Sequence, residues 1–279
     1  MESAILKSWI RHSFRAVGLE VRRLAPSATS THTRDSVRQM LEQAISAGFV
    51  PNTVIDIGAA HGAFTRQCLE VFANAQYLLV EPLVEYQPIL AELTHVCPSI
   101  QTVFAAATAY PGEISVHVHP DLVGSSLYLE VEQGTDVNGV PRVVPAVTVD
   151  KLVEEVGLKG PFLLKIDVQG AELDVLNGAE RVLEDCQYVI LEVSFFRFFH
   201  NAADCCEIIA YMKEKGFVPY DIVGLQYRPL DRALSQADIA FVKEAGLFRR
   251  QHFYATPEQR EAQNKQLKTH LVRLFQRGE

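Results

Sequence analysis

A chain of 279 residues, 48% hydrophobic and 22% charged, can bury a substantial core and has the composition of an ordinary globular protein. Its formal charge of −8 argues against sequence-independent nucleic-acid binding, which needs a surplus of Lys and Arg to displace counterions, and leaves a small neutral or cationic partner open. No run reaches the about 20 apolar residues of a membrane span, and the N-terminus lacks the apolar stretch of a secretion signal, so a cytoplasmic protein without stable membrane insertion is expected.

Residues 1–24 read as an amphipathic helix, with Ile5, Trp9, Ile10 and Phe14 opposite Lys7, Arg11, Arg15, Arg22 and Arg23. Such a helix either packs on the domain or rests on an anionic membrane surface. Ala25 to Thr33 is a linker, and a second helix is predicted from about Arg34 to Gly48. The expected organisation is an N-terminal helix and linker over 1–33, a catalytic domain over 34–248 and a C-terminal helical extension over 249–279.

From residue 53 strand and helix patterns alternate, the signature of a mostly parallel sheet with helices on both faces. Candidate strands are Thr53–Ile57, Tyr77–Val80, Thr102–Ala105, Phe162–Ile166, Tyr188–Val193, Val218–Val223 and Ile239–Lys243, several of them nearly continuous apolar runs. Helix faces are formed by Phe64, Cys68, Val71 and Phe72, by Val149, Leu152, Val153 and Val156 ahead of Gly157, and by Cys205, Ile208, Ile209 and Met212 behind a candidate N-cap at Asn201. Residues 113–119 and Val143–Val147 alternate with period two and predict a small antiparallel insert, with a Gly- and Ser-containing loop from Gly124 to Gly139 between them. The five cysteines, Cys68, Cys97, Cys186, Cys205 and Cys206, lack the spacings of zinc ribbons or redox dithiols and read as reduced thiols.

Asp56-x-Gly58-x-x-x-Gly62 joins an apolar strand to a helix, where glycines let the backbone approach a ligand and the helix start offers free N–H groups. The second strand ends in Glu81-Pro82, 19 positions after Gly62, close to the spacing at which an acid meets ribose hydroxyls. A nicotinamide dinucleotide would call for G-x-G-x-x-G, whereas the turn here is Gly58-x-Ala60-x-x-Ala63. Further on, the strand Leu164-Lys165-Ile166 delivers Asp167, followed by Gly170 and Glu172, and a third acid, Glu192, ends the next strand before an aromatic run from Phe195 to Phe199 and His200. Ligands of open α/β sheets sit beyond the carboxyl ends of the strands, so Asp167 should border the same cleft as Gly58 and Glu81. Lys165, in an apolar strand, needs an anionic partner, for which Glu172 is a candidate.

Through Val54-Ile55-Asp56-Ile57-Gly58-Ala59, Glu81-Pro82, Ala105-Ala106, Lys165-Ile166-Asp167-Val168-Gln169-Gly170-Ala171-Glu172 and Ile190-Leu191-Glu192-Val193, the chain resembles the FkbM family of methyltransferases over roughly residues 50–245. It carries Gln169 where that family usually has Glu. The resemblance implies a seven-stranded, doubly wound, mostly parallel α/β sheet of the class I methyltransferase, Rossmann-like type, here with N- and C-terminal helical extensions and the small β insert. It also implies S-adenosylmethionine as methyl donor and O-methylation of a sugar or other natural product. Gly58, Ala60, His61 and Gly62 would then meet the methionine part, Glu81 the ribose, and Ala106 the adenine, with Asp56 and Pro82 completing the cofactor set.

In such a reaction the protein mainly aligns an acceptor oxygen with the methyl group and supplies a base. Asp167 is the first candidate for that base, with Glu172 and His200 as alternatives. A different reading gives Asp167 and Glu192 to a divalent cation, Mg2+, that acidifies the acceptor hydroxyl. Two further readings stay open: a methyltransferase-fold scaffold without catalysis and a nucleotide-cofactor oxidoreductase. The C-terminal stripe Leu267, Leu271, Leu274 and Phe275 fits intramolecular packing, a homodimer or another contact.

Overall fold

The computed structural model describes residues 34–132 and 134–277. The N-terminal amphipathic helix and its linker lie outside the described residues. The described residues from Asp35 onward belong to one compact unit.

Its first helix, α1 (Val37–Ser46), is capped by the Ser36 hydroxyl and buries Met40, Leu41 and Ala44. The strand–helix alternation then builds β1 (Thr53–Ile57), α2 (Ala63–Val71), β2 (Gln76–Val80), α3 (Gln87–Val96) and β3 (Ile100–Val103). After the insert described below come α4 (Val149–Val156), β7 (Phe162–Ile166), the short helices α5 (Glu172–Asn177) and α6 (Glu180–Asp185), β8 (Cys186–Ser194), α7 (Cys205–Glu214), β9 (Phe217–Tyr227) and β10 (Leu234–Lys243). The seven-stranded sheet has the order β3-β2-β1-β7-β8-β10-β9. Only β10 runs against its neighbours, β8 and β9.

All five residues of β1 and all five of β7 are buried, which is why both read as nearly continuous apolar runs rather than alternating ones, interrupted only by the buried and paired Asp56 and Lys165. Successive side chains go to opposite faces. Val54, Leu79, Leu163 and Ile190 pack with α1, α2 and α3, while Ile55, Val80, Leu164 and Val189 pack with α4 to α7. The chain moves outward from β1 through β2 to β3 and returns beside β1 as β7, so the strand order reverses between β1 and β7. That reversal opens a crevice at their carboxyl ends.

The predicted insert is present. In it β5 (Gly112–Val118) runs antiparallel to β6 (Val140–Val147), and a two-residue strand, β4 (Ala106–Ala107), pairs parallel with β6 on its other side. The strand expected at Thr102–Ala105 starts and stops two residues earlier, because the chain leaves the large sheet after Val103 to enter this small one. Two local expectations are corrected. The helix of Cys205 starts from Asp204, whose carboxylate accepts from Cys206 N and Glu207 N in a reciprocal capping box, whereas Asn201 sits upstream in a left-handed turn at φ 66°. Lys165 pairs with Asp167 and not with Glu172 (Nζ–Oδ2 2.9 Å).

The long C-terminal helix α8 (Pro257–Arg277) exposes every side chain described in it, including Leu267, Leu271 and Phe275. Among the described residues no helix is long and apolar enough to cross a membrane. The five cysteines are free thiols.

Candidate active site

Beyond the carboxyl ends of β1, β2 and β7 lies a cleft of about 790 Å³, counting the space continuous with solvent. This is within the usual size of small-molecule sites. Gly58 and Ala60 form one wall, Glu81, Pro82 and Tyr86 the next, and Ala105 to Ala107 the floor beside them. Asp167, Val168, Gln169 and Glu192 line the far side, together with Leu122, Val123, Ser125, Ser126 and Leu127 of the insert loop. Separate segments of the chain therefore bring Gly58, Ala60, Glu81, Pro82, Ala106, Asp167 and Glu192 to one place.

Glu81 is buried at 4% exposure, with Oε2 accepting from Ala60 N and Oε1 from Leu83 N, both at 2.8 Å. Each oxygen keeps a lone pair for a ligand hydroxyl. Burial pushes this carboxyl up to about 7, against the lowering effect of the two backbone donors.

The two glycines of the turn serve the protein before any ligand. A Cβ on Gly58 (φ 75°) would lie 1.8 Å from the carbonyl oxygen of Asp167, so its absence lets the ends of β1 and β7 close together. A Cβ on Gly62 (φ 78°) would meet the Leu93 side chain at 2.5 Å, so Gly62 admits α3 against the start of α2. Gly62 and the exposed His61 do not line the cleft.

Asp56 is also absent from the cleft wall. It is fully buried and accepts the Thr65 hydroxyl at 2.6 Å, tying β1 to α2. Glu172 is equally interior: its Oε1 accepts from Gly170 N at 2.9 Å, and burial raises it to about 7. His200 is exposed and outside the cleft, held through its backbone N–H to Leu129 O at 2.8 Å. Of the three candidate bases only Asp167 borders the cavity.

Around Asp167 the charges are tightly arranged. Its Oδ2 holds the buried Lys165 ammonium, and its Oδ1 accepts from Gln169 Nε2 at 3.0 Å. Burial alone would raise the Asp167 carboxyl, but the Lys165 ammonium overrides it and holds the group below its usual range. The second hydrogen of Gln169 Nε2 goes to Glu192 Oε2 at 2.8 Å. Glu192 also accepts from Gln236 Nε2 at Oε2 (3.0 Å) and from Gln226 Nε2 at Oε1 (3.2 Å). Burial, with the nearby negative charges of Asp167 and Asp238, pushes Glu192 up to about 8.

This arrangement gives the cation reading no support. One amide nitrogen, Gln169 Nε2, serves both carboxylates, and Lys165 pairs with Asp167. Among the described residues no group of three or more His, Cys, Asp or Glu side chains could hold a metal ion.

Gln169 links this cluster to the insert loop. It sits in the left-handed region at φ 54°, and its carbonyl accepts the Ser126 hydroxyl at 2.6 Å. The Tyr128 hydroxyl on the same loop bonds to Asp174. The contributions of Gln226, Gln236 and Asp238 were not visible in the sequence. They come from a hairpin whose polar residues carry no spacing signal.

A seven-stranded sheet with one reversed strand and a cleft at the topological switch point defines a class I methyltransferase type of α/β protein. The Methyltransferase FkbM domain model matches residues 56–219, more than half of the chain, and the chain belongs to that family. No protein of curated function matches it. Among solved structures it is similar to an FkbM methyltransferase from Methylobacillus flagellatus at 15% identity and a TM-score of 0.45, with 67% of this chain and 43% of that one covered. It thus spans less than half the length of that protein. A second is the 1,6-didemethyltoxoflavin-N1-methyltransferase of Burkholderia thailandensis, solved with bound 1,6-didemethyltoxoflavin and S-adenosylhomocysteine (12% identity, TM-score 0.41, 87% and 88% covered). A third is the magnesium protoporphyrin IX methyltransferase of Synechocystis with bound SAM (11% identity, TM-score 0.40, 74% and 79% covered).

Proposed function

We propose that this chain binds S-adenosylmethionine in the cleft between β1, β2 and β7 and directs its methyl group to a hydroxyl oxygen of a small acceptor, a sugar or another natural product. The observation that carries the reading is the meeting of three family segments at one cavity: the Gly58–Ala60 turn, the Glu81 carboxyl and the Ala105–Ala107 floor. Their chemistry fits the donor. Glu81 has lone pairs left for two ribose hydroxyls, and the apolar side chains of Val80, Leu83 and Leu127 suit an adenine. The turn would receive the methionine part.

When bound, S-adenosylmethionine supplies a sulfonium methyl that is electrophilic without further activation. The protein's own residues then have two tasks: to hold an acceptor hydroxyl in line with that methyl and to take the hydroxyl proton. The negative net charge supports a small acceptor over a nucleic acid. On this reading residues 34–248 are the catalytic domain and 249–279 an appended helical segment that offers an exposed apolar stripe to a second copy.

Side-by-side calorimetric titration of the purified chain with S-adenosylmethionine and NADH tests this. The expected result is saturable binding of the first only, weakened at least tenfold in Glu81→Ala. Binding of NADH alone contradicts the proposal, and a folded chain that binds neither favours a non-catalytic scaffold.

A further inference from the structure

We infer that Glu192 is the proton acceptor for the transferred methyl group's acceptor hydroxyl, and that the Lys165–Asp167 ion pair beside it is an electrostatic support and not the base. This deepens the methyl-transfer reading and rests on it.

The two carboxylates differ in what surrounds them. Asp167 owns the cation: its Oδ2 lies 2.9 Å from the ammonium of Lys165, whose side chain is only 9% exposed. A proton taken by Asp167 would leave Lys165 buried beside a neutral acid, the costly half of a broken pair. Glu192 accepts hydrogen bonds from the neutral amides of Gln169, Gln226 and Gln236, while the Lys165 ammonium bonds Asp167 and reaches Glu192 only as a nearby charge. A proton arriving there strands no charge and relieves repulsion from Asp167, just past the end of β7, and from Asp238 of β10.

Lone-pair capacity points to one oxygen. Oε2 takes the two shorter amide bonds, while Oε1 takes one at 3.2 Å and keeps room for an incoming hydroxyl. Glu192 borders the cleft on the side away from Glu81, where an acceptor would sit relative to a donor whose ribose meets Glu81. With Glu192 ionised, as it becomes towards pH 8, the step balances: the acceptor oxygen bonds the methyl carbon, the carbon–sulfur electron pair returns to sulfur, and the hydroxyl proton passes to Glu192 Oε1. Gln169 sets the distance between the carboxylates, donating one hydrogen to each, and its carbonyl is fastened to Ser126 of the insert loop.

The test is a pH titration of the full chain labelled with ¹³C at the glutamate side-chain carboxyls, with S-adenosylhomocysteine as probe, in the wild type and three variants. One resonance should titrate near pH 8 and vanish in Glu192→Gln. It should move to lower pH in Asp167→Asn, which removes a like charge, and to higher pH in Gln236→Leu, which removes a donor to the ionised form. Opposite shifts in two variants separate electrostatic control from a general loosening of the fold. With tritiated S-adenosylmethionine and a panel of free hexoses and phenols, Glu192→Gln should lower kcat by about 10²- to 10⁴-fold, the usual range for losing a general base, and by more than Asp167→Asn does. A Glu192 that titrates in the ordinary carboxylate range, or a larger loss in Asp167→Asn, overturns the assignment while methyl transfer stands. A wild-type chain that does not bind S-adenosylmethionine overturns both.

Discussion

Replacing Gly58 by Ala tests the central geometric feature of the cleft, the close approach of the β1 turn to the end of β7. Three left-handed glycines give a graded series: Gly157 at φ 76° with nothing within 4 Å of a new Cβ, Gly62 at φ 78° with the Leu93 methyl at 2.5 Å, and Gly58 at φ 75° with a backbone oxygen at 1.8 Å. Since the three φ angles are nearly equal, the conformational cost is shared, about 1–2 kcal/mol each. Gly157→Ala should cost little more than that. Gly62→Ala adds a forced rotamer change of Leu93, about 0.5–1.5 kcal/mol. Gly58→Ala cannot be relieved by a side chain, because the obstacle is the Asp167 carbonyl, and overpacking adds about 1–3 kcal/mol. The sum, about 2–5 kcal/mol, is a large part of a typical stability of about 5–15 kcal/mol. Urea unfolding of the three variants measures the order directly, and titration with S-adenosylmethionine should show the largest loss of affinity for Gly58→Ala. Equal destabilisation of Gly58→Ala and Gly157→Ala would refute the close-approach argument.

Lys165→Met leaves Asp167 without its cation and should destabilise the fold by about 3–5 kcal/mol, measured by urea unfolding at pH 7. In the wild type, Asp167 is held below its unfolded value, so its contribution is present at neutral pH and is lost as pH falls through the acid range. The deficit of Lys165→Met should therefore shrink towards pH 4, and a deficit independent of pH would contradict the pairing. Glu81 behaves in the opposite sense: its folded value of about 7 lies above the unfolded one, so stability is lost as pH rises from the ordinary glutamate range through about 7. The ionised carboxylate is also the better acceptor for ribose hydroxyls. Affinity for S-adenosylmethionine should thus rise several-fold from pH 6 to pH 8 by calorimetry, and this slope should be absent in Glu81→Gln.

The sheet was legible in the sequence because β1 and β7 are covered on both faces and leave nearly continuous apolar runs, Thr53–Ile57 and Phe162–Ile166, interrupted by Asp56 and Lys165, that end where the structure ends them. The switch-point cleft followed from the acidic strand ends, and Asp167, Glu81 and Glu192 do meet there. The roles of residues beside those strand ends were harder to read, since one position along the chain reverses the face. Asp56, two residues before Gly58, turns into the protein toward Thr65, and Glu172 turns back to cap the Gly170 N–H. Lys165 found its partner two residues on, along its own strand direction, rather than on the following helix. The glutamines that hold Glu192 come from β9 and β10 and from a strained turn, contacts made only by the tertiary fold.

A crystal structure of the chain with S-adenosylhomocysteine tests the account most directly. It should place the ribose hydroxyls within hydrogen-bond distance of Glu81, the adenine beside Ala106 and the amino-acid part at Gly58 and Ala60, with the sulfur directed towards the side of the cleft that holds Asp167 and Glu192. A ligand lying elsewhere, or bound with its ribose away from Glu81, would contradict it.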